Sequence, residues 1–423
     1  PPMAVTVPPA TDQIDYADLY ARWERGNWSA TEIDFSQDRI DWHERFSDEQ
    51  RRGALWLYSL FFHGEDSVAD DLSPYVDAAP REEQTYFLAT QQVDEARHSV
   101  LFHRFMHEVV GVGDGSVGAS LTATSTDLSW GYRKVFARLD QMADELRKDR
   151  SKVKLAQAVT LYHVIVEATM AQPGQHLIEE SLERYDVLPG FREGMRHVSL
   201  DEQRHIGFGV KLLSDLYAED PERIGPAILA TVREVAGWVA DAGTPPNLDR
   251  SYTECWGFTL EDIGEIGTRS LEQRLRAIGL PLEEMEGFPF DLSTSFRERA
   301  ELGLKLRWAN YLGPGGPLDT SDEMLAVYFD ALACNTLPSE MKPGTTVQWD
   351  FTDADPWYLE FAGRETHALR GRASRPALTL RSTLADLVDV GAGRVEPARL
   401  LLTRRLRIRG NPLVLPRLAR ALG

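Results

Sequence analysis

Two short stretches, "DEARH" at 94–98 and "DEQRH" at 201–205, write the same pattern, Asp-Glu-x-Arg-His, 107 residues apart. In a helix, residues i and i+3 share a face. Glu95 and His98 therefore point the same way, as do Glu202 and His205. A dinuclear metal site in a four-helix bundle takes Glu-x-x-His from each of two helices and a single Glu from each of the other two. The single carboxylates are expected mid-helix, one upstream of each pair. Glu65, inside "FFHGEDSV", precedes Glu95 by 30 residues, and Glu167, inside "YHVIVEAT", precedes Glu202 by 35. Both acids sit in apolar runs, where an unpaired carboxylate is costly, so a cation is expected beside them. Glu65, Glu95, His98, Glu167, Glu202 and His205 then hold two metal ions and leave positions open for O2 and a substrate. Hard oxygen and imidazole donors suit iron or manganese.

A single Glu-x-x-His would read as an ordinary solvated helix pair. Two copies in one pentapeptide, each with an upstream Glu in an apolar run, do not. Asp94 and Asp201 have two readings: acceptors for the far nitrogen of a ligand histidine, or helix-surface charge. His63, His163, His103 and His107 match no partner motif and are read as structural.

The elements that must carry these residues are long helices. Apolar residues recur at helical intervals over about 48–76 and, after Pro80, over about 81–110. The glycine-rich "GVGDGSVGAS" (111–120) breaks the chain. Further helices are expected at about 129–147, 151–183, 190–217 and 222–242, the second of these interrupted by Pro173 and Gly174, which demand a kink or local unwinding. This is an all-α bundle pattern. The tail differs. "TTVQWDF" (345–351) and "PWYLEF" (356–361) alternate with a period of two, as half-buried strands do. "PALTL" (376–380) and "RLRIR" (405–409) are expected as further strands, with short helices at 383–390, capped by Ser382, and at 395–403 and 412–422. The expected domains are an N-terminal extension (1–44), a metal-binding bundle (45–242), a helical connecting region (243–317) and an α+β domain (318–423).

A net charge of −20 and a pI near 5.0 argue against nucleic acid as a partner. The charge is uneven, however: Arg399 to Gly423 holds seven arginines and no acid. Cys255 and Cys334 fit no metal-ligand spacing and are expected as buried, reduced thiols of a cytoplasmic protein. "PPMAVTVPPATDQ" does not read as a signal peptide, and no run of ~18 apolar residues suggests a transmembrane segment.

The motif residues resemble the ferritin-like superfamily, and within it the ribonucleotide reductase small subunit and the ligand-binding oxidases related to it. The likeness covers about 45–240 and rests on "FFHGEDSVADDL", "YHVIVEA" and "DEQRHIGFGV". It implies a Mn/Fe or Fe/Fe centre that activates O2 and a long-chain fatty acid bound nearby, with Glu65, Glu95, His98, Glu167, Glu202 and His205 as ligands. It also implies an ether cross-link between Tyr162, five residues before Glu167, and Val68, three after Glu65. Spacing alone does not select Tyr162, which lies about 140° around an ideal helix from Glu167. A reductase subunit carries a radical tyrosine one turn beyond the first ligand histidine; Phe102 occupies that position. The tail resembles a sterol carrier protein-2 domain over about 320–423, most specifically in "GRVEPARLLLTRRLRIRG". Such domains enclose an apolar cavity.

The fold class expected is therefore mainly α: a ferritin-like helical bundle with a C-terminal α+β sterol-carrier-like domain. The function expected is an O2-activating dinuclear metal oxidase or oxygenase that oxidises a C–H bond of an apolar or fatty-acyl ligand, in a homodimer. Two alternatives stand beside it. One is an oxygenase of a biosynthetic pathway acting on an amine or carrier-bound intermediate. The other is a lipid-binding protein whose metal site only oxidises itself.

Overall fold

The structure, a computed structural model, describes residues 14–423; the "PPMAVTVPPATDQ" stretch lies outside them. The described residues form two compact units, one of residues 14–228 and 242–280, the other of residues 229–241 and 281–423. The expected connecting region 243–317 is thus divided between the two.

The first unit is helical. Helix Asp48–Asp71 starts at a capping box in which Ser47 Oγ accepts from Gln50 N and Gln50 reaches back to Ser47 N, satisfying two otherwise orphaned donors. It stops short of the expected residue 76. A separate short helix, Ser73–Ala78, has Pro74 in its first turn, which has no N–H to continue the first helix. Helix Glu82–Phe105 follows, then Trp130–Lys148 and Lys152–Val159. Thr160–Ala171 is a π-helix, which passes into Gln172–Tyr185. The expected disturbance at Pro173 therefore appears as widening of the turns before it. Helix Pro189–Glu219 is fastened at its start by remote acids. Asp38 accepts from Gly190 N and Phe191 N at 2.9 and 2.7 Å, and Asp41 from Leu188 N at 2.8 Å. These carboxylates come from the expected N-terminal extension, which also forms helix Tyr16–Arg25.

The second unit holds a five-stranded sheet: β1 (Thr345–Phe351), β2 (Trp357–Phe361), β3 (Thr366–Arg370), β4 (Leu378–Ser382) and β5 (Arg407–Gly410), ordered β3-β2-β1-β4-β5. β1 runs parallel to β4 and every other pairing is antiparallel. Val347, Trp349 and Phe351 alternate onto the buried face beside Leu359 and Leu380, and Phe329 stacks on Trp357 at 4.8 Å. β4 and β5 each lie two residues later than their expected starts, and β3 was not expected at all. Its residues, Thr-His-Ala-Leu-Arg, lack an apolar alternation because it is an edge strand. Helix Leu384–Gly391 is capped by Thr383, not Ser382; Ser382 is still the last residue of β4. Both cysteines are free, but Cys255 is half-buried and Cys334 exposed, so their expected burial is not found. No helix among the described residues is long and apolar enough to cross a membrane.

Candidate metal centre

Four helical segments deliver the six predicted ligands to one point. Glu65 comes from Asp48–Asp71, Glu95 and His98 from Glu82–Phe105, Glu167 from the π-helix, and Glu202 and His205 from Pro189–Glu219. All six are buried. They form two overlapping groups, Glu65–Glu95–His98–Glu202 and Glu95–Glu167–Glu202–His205, within each of which the ligand atoms lie no more than 4.8 Å apart. Glu95 and Glu202 belong to both, as carboxylates between two ions would.

The repeated motif is used crosswise. His98 Nε2 lies 3.1 Å from Asp201 Oδ2, and His205 Nε2 lies 3.1 Å from Asp94 Oδ2. An Nε2–H given to an aspartate leaves Nδ1 for the cluster. His205 Nδ1 indeed faces Glu95, Glu167 and Glu202 at 3.2, 3.5 and 3.7 Å. His98 Nδ1 faces Glu65, Glu95 and Glu202 at 3.1, 3.4 and 3.6 Å. The motif arginine also has a part: Arg204 Nη2 donates to Asp94 at 3.2 Å and to Asp201, tying the two aspartates together. Trp23 Nε1 donates to Asp94 at 2.9 Å and Trp28 Nε1 to Asp201 at 2.8 Å. Of the two readings open for Asp94 and Asp201, the structure therefore has the histidine acceptor.

One outer contact went unread in the sequence. His163 belongs to neither Glu/His group, in keeping with its structural reading; its Nε2 lies 3.1 Å from Gln91 Oε1, and Gln91 Nε2 donates to Glu167 Oε1 at 2.8 Å and to Glu95 Oε1 at 3.3 Å. Gln91 is four residues before Glu95 on one helical face, the signal that would have found it. Tyr162 also reaches the cluster, donating from its hydroxyl to Glu95 Oε1 at 2.9 Å. The π-helix explains how: i→i+5 bonding brings residues five apart onto one face. Val68 is buried one turn beyond Glu65. Phe102 is fully buried and stacks on Phe61 at 6.0 Å.

The electrostatics call for positive charge. Burial pushes the Glu65 carboxyl up to about 8. Burial, then the Glu202 charge, raises Glu167 well above the carboxylate range. Burial would raise Glu95 too, but the imidazoles of His205 and His98 outweigh it and hold the group well below that range. Burial would lower His98 and His205; the surrounding carboxylates raise both instead. Without a cation the cluster is a trap for protons. Within the proposed ligand set, four buried polar atoms lack a hydrogen-bond partner: Glu95 Oε2, Glu167 Oε2, Glu202 Oε2 and His205 Nδ1. Buried polar groups are rarely orphaned, and here the four converge on one cluster where an ion would satisfy them. The residues fit two divalent ions, whose binding would displace the protons.

Comparison with known proteins agrees with this geometry. The sequence pattern of the ribonucleotide reductase small chain matches residues 9–237, and that of the SCP-2 sterol transfer family matches residues 338–423. Among solved structures, a variant R2-like ligand-binding oxidase with an anaerobically reconstituted Mn/Fe cofactor is 26% identical, with a TM-score of 0.53 over 63% of this chain and 94% of that one. The R2-like ligand-binding oxidase from Sulfolobus acidocaldarius is 27% identical, with a TM-score of 0.52 over 64% of this chain and 93% of that one.

Proposed function

The chain belongs to the ribonucleotide reductase small-chain family, and from that premise we propose that it is a dinuclear Mn/Fe or Fe/Fe oxidase acting on an apolar, lipid-like or acyl substrate. The observation that carries this reading is the pair of overlapping Glu/His groups with unpartnered ligand atoms. Glu65 and His98 would hold one ion, Glu167 and His205 the other, with Glu95 and Glu202 between them. Two such ions supply the means to reduce O2 and oxidise a C–H bond.

The protein's own part is orientation and exclusion of water. Asp201 and Asp94 hold the two imidazoles in one tautomer. Gln91 restrains Glu167 by one oxygen, leaving the other for an ion. Phe61, Phe62, Phe87 and Phe102 are buried near the ligand-bearing turns and keep the surroundings dry. Phe102 carries no phenol, so this position stores no tyrosyl radical; that favours an oxidase over a reductase subunit. The apolar character of the substrate is supported by these rings and by the match of residues 338–423 to a sterol transfer family.

Aerobic loading with manganese and iron tests the proposal. Two ions per chain are expected, with O2 consumption beyond one equivalent when a fatty-acyl substrate and a reductant are supplied. Full occupancy of both positions in Glu167→Ala would overturn the ligand assignment. O2 uptake that stops at one equivalent would reduce the protein to a self-oxidising binder.

A further inference from the structure

Residues 338–423 hold fourteen basic and nine acidic side chains, a net of +5 in a chain of net −20, so the remaining residues carry −25. The excess is concentrated from Arg399 onward, where two of the seven arginines are committed: Arg405 pairs with Asp386 and Arg420 with Glu340. The other five, Arg399, Arg404, Arg407, Arg409 and Arg417, are exposed, and among the described residues none of them forms an ion pair. Between them stand Leu402, 85% exposed, and Leu413, 78% exposed, the two most exposed large apolar side chains among the described residues. Leu402 ends helix Pro397–Leu402 and Leu413 sits in the turn Pro412–Val414. The two flank β5, one of the two edge strands of the sheet.

Part of this has a plain explanation. Arg407 and Arg409 on an edge strand guard it against pairing with another chain. That accounts for neither leucine and for none of Arg399, Arg404 and Arg417. A single exposed leucine needs no explanation. Two leucines, each at a tip and each between unpaired arginines, are a different pattern. Basic residues interleaved with exposed apolar ones are what an anionic lipid interface selects: guanidinium groups meet phosphates while leucines enter the acyl boundary.

We propose that residues 397–417 dock on the surface of a bilayer containing anionic phospholipid. Nucleic acid would use the arginines but not the leucines. A folded protein partner needs a contiguous apolar centre with a polar rim, whereas these leucines are separate tips on a helix end and a turn. The acidic remainder of the chain does not forbid the contact, because at physiological salt charges beyond about 8 Å are largely screened. The proposal is independent of the metal chemistry and extends the sterol-transfer match from what the domain encloses to where it stands.

Sedimentation of the full chain with vesicles tests it. At about 0.1 M salt, vesicles of phosphatidylcholine with phosphatidylglycerol should bind the protein at least about tenfold more tightly than phosphatidylcholine alone. Leu402→Ser with Leu413→Ser, and separately Arg404→Gln with Arg407→Gln and Arg409→Gln, should each weaken binding about fivefold or more with unchanged thermal melting. Equal binding to both vesicle types would overturn the proposal, as would binding untouched by either set of changes. So would retention on DNA or an acidic protein in the absence of vesicle binding.

Discussion

His98 bonds to Asp201, not to Asp94 of its own motif, with Nε2 3.1 Å from Asp201 Oδ2. The reciprocal pair, His205 with Asp94, has the same 3.1 Å separation. The pentapeptide is therefore written twice because each copy completes the other: one helix supplies the ligand and the facing helix supplies its orienting acid. This crossing makes a prediction that a within-motif arrangement would not. Asp201→Asn should weaken the ion on the Glu65/His98 side by about 10–100-fold and spare the Glu167/His205 side. Asp94→Asn should do the reverse. Metal titration followed by electron paramagnetic resonance distinguishes the two sides; loss of the His205-side ion in Asp201→Asn would contradict the crossing.

Gln91 sits between a neutral histidine and two ligand carboxylates. Burial, then the His205 charge, pushes His163 down to about 3, so near neutral pH it is an uncharged donor to Gln91 Oε1. That fixes the amide with its N–H groups toward Glu167 and Glu95. In Gln91→Leu the metal-free protein should lose about 1–3 kcal/mol, because Glu167 and His163 are left buried without their partner. The loaded protein should lose less, since an ion takes up the Glu167 charge. Urea unfolding of both forms measures this, and equal losses would reduce Gln91 to packing.

The cluster of six proposed ligands was legible because a helix repeats every 3.6 residues and Glu-x-x-His at i, i+3 needs no tertiary information. The apolar runs around Glu65 and Glu167 marked burial in the same way. What sequence hid was either long-range or non-α. Trp23 and Trp28 meet aspartates 71 and 173 residues away, and nothing local in "RWERGNW" announces it. Tyr162 was reachable only through family likeness, because an α-helical count points it away from Glu167; a π-helix changes that count. β3 escaped because an edge strand needs no apolar alternation. Thr383 rather than Ser382 caps its helix because β4 extends two residues beyond the expected end, into the position the cap was given.

A pH effect should arise away from the metals. Burial, followed by the neighbouring Asp140 carboxyl, pushes Asp71 from its ordinary 3.8 up to about 7. Below the ordinary value the group is protonated in both folded and unfolded chains, and its contribution is fully present. As pH rises toward 7 the unfolded chain releases the proton while the folded one retains it, so stability falls; above 7 the loss is complete. Asp71→Asn should therefore raise the melting temperature by a few degrees at about pH 8 and leave it nearly unchanged at about pH 4. Thermal scans of both proteins at the two pH values check this, and a gain confined to the acid side would contradict the assignment.

We propose that the cross-link implied by the resemblance forms, and the placements of Tyr162 and Val68 support it. The Tyr162 hydroxyl donates to Glu95, a carboxylate common to both metal groups, at 2.9 Å. Val68 is buried on the helix of Glu65, three residues on and so on the same face. Burial, then the Glu95 charge, holds the phenol well above its usual range, so Tyr162 keeps its proton until an oxidant removes it. Joining Tyr162 Oη to Val68 Cβ removes one hydrogen from each, with O2 taking up the two electrons and two protons. Two peptides from different helices would become one, lighter than their sum by two hydrogens. Peptide mass spectrometry after aerobic loading with manganese and iron should find that species, and Tyr162→Phe should abolish it while keeping two ions per chain. Separate, unmodified peptides carrying Val68 and Tyr162 in fully loaded, O2-exposed protein would mean that the oxidising equivalents go to a substrate instead.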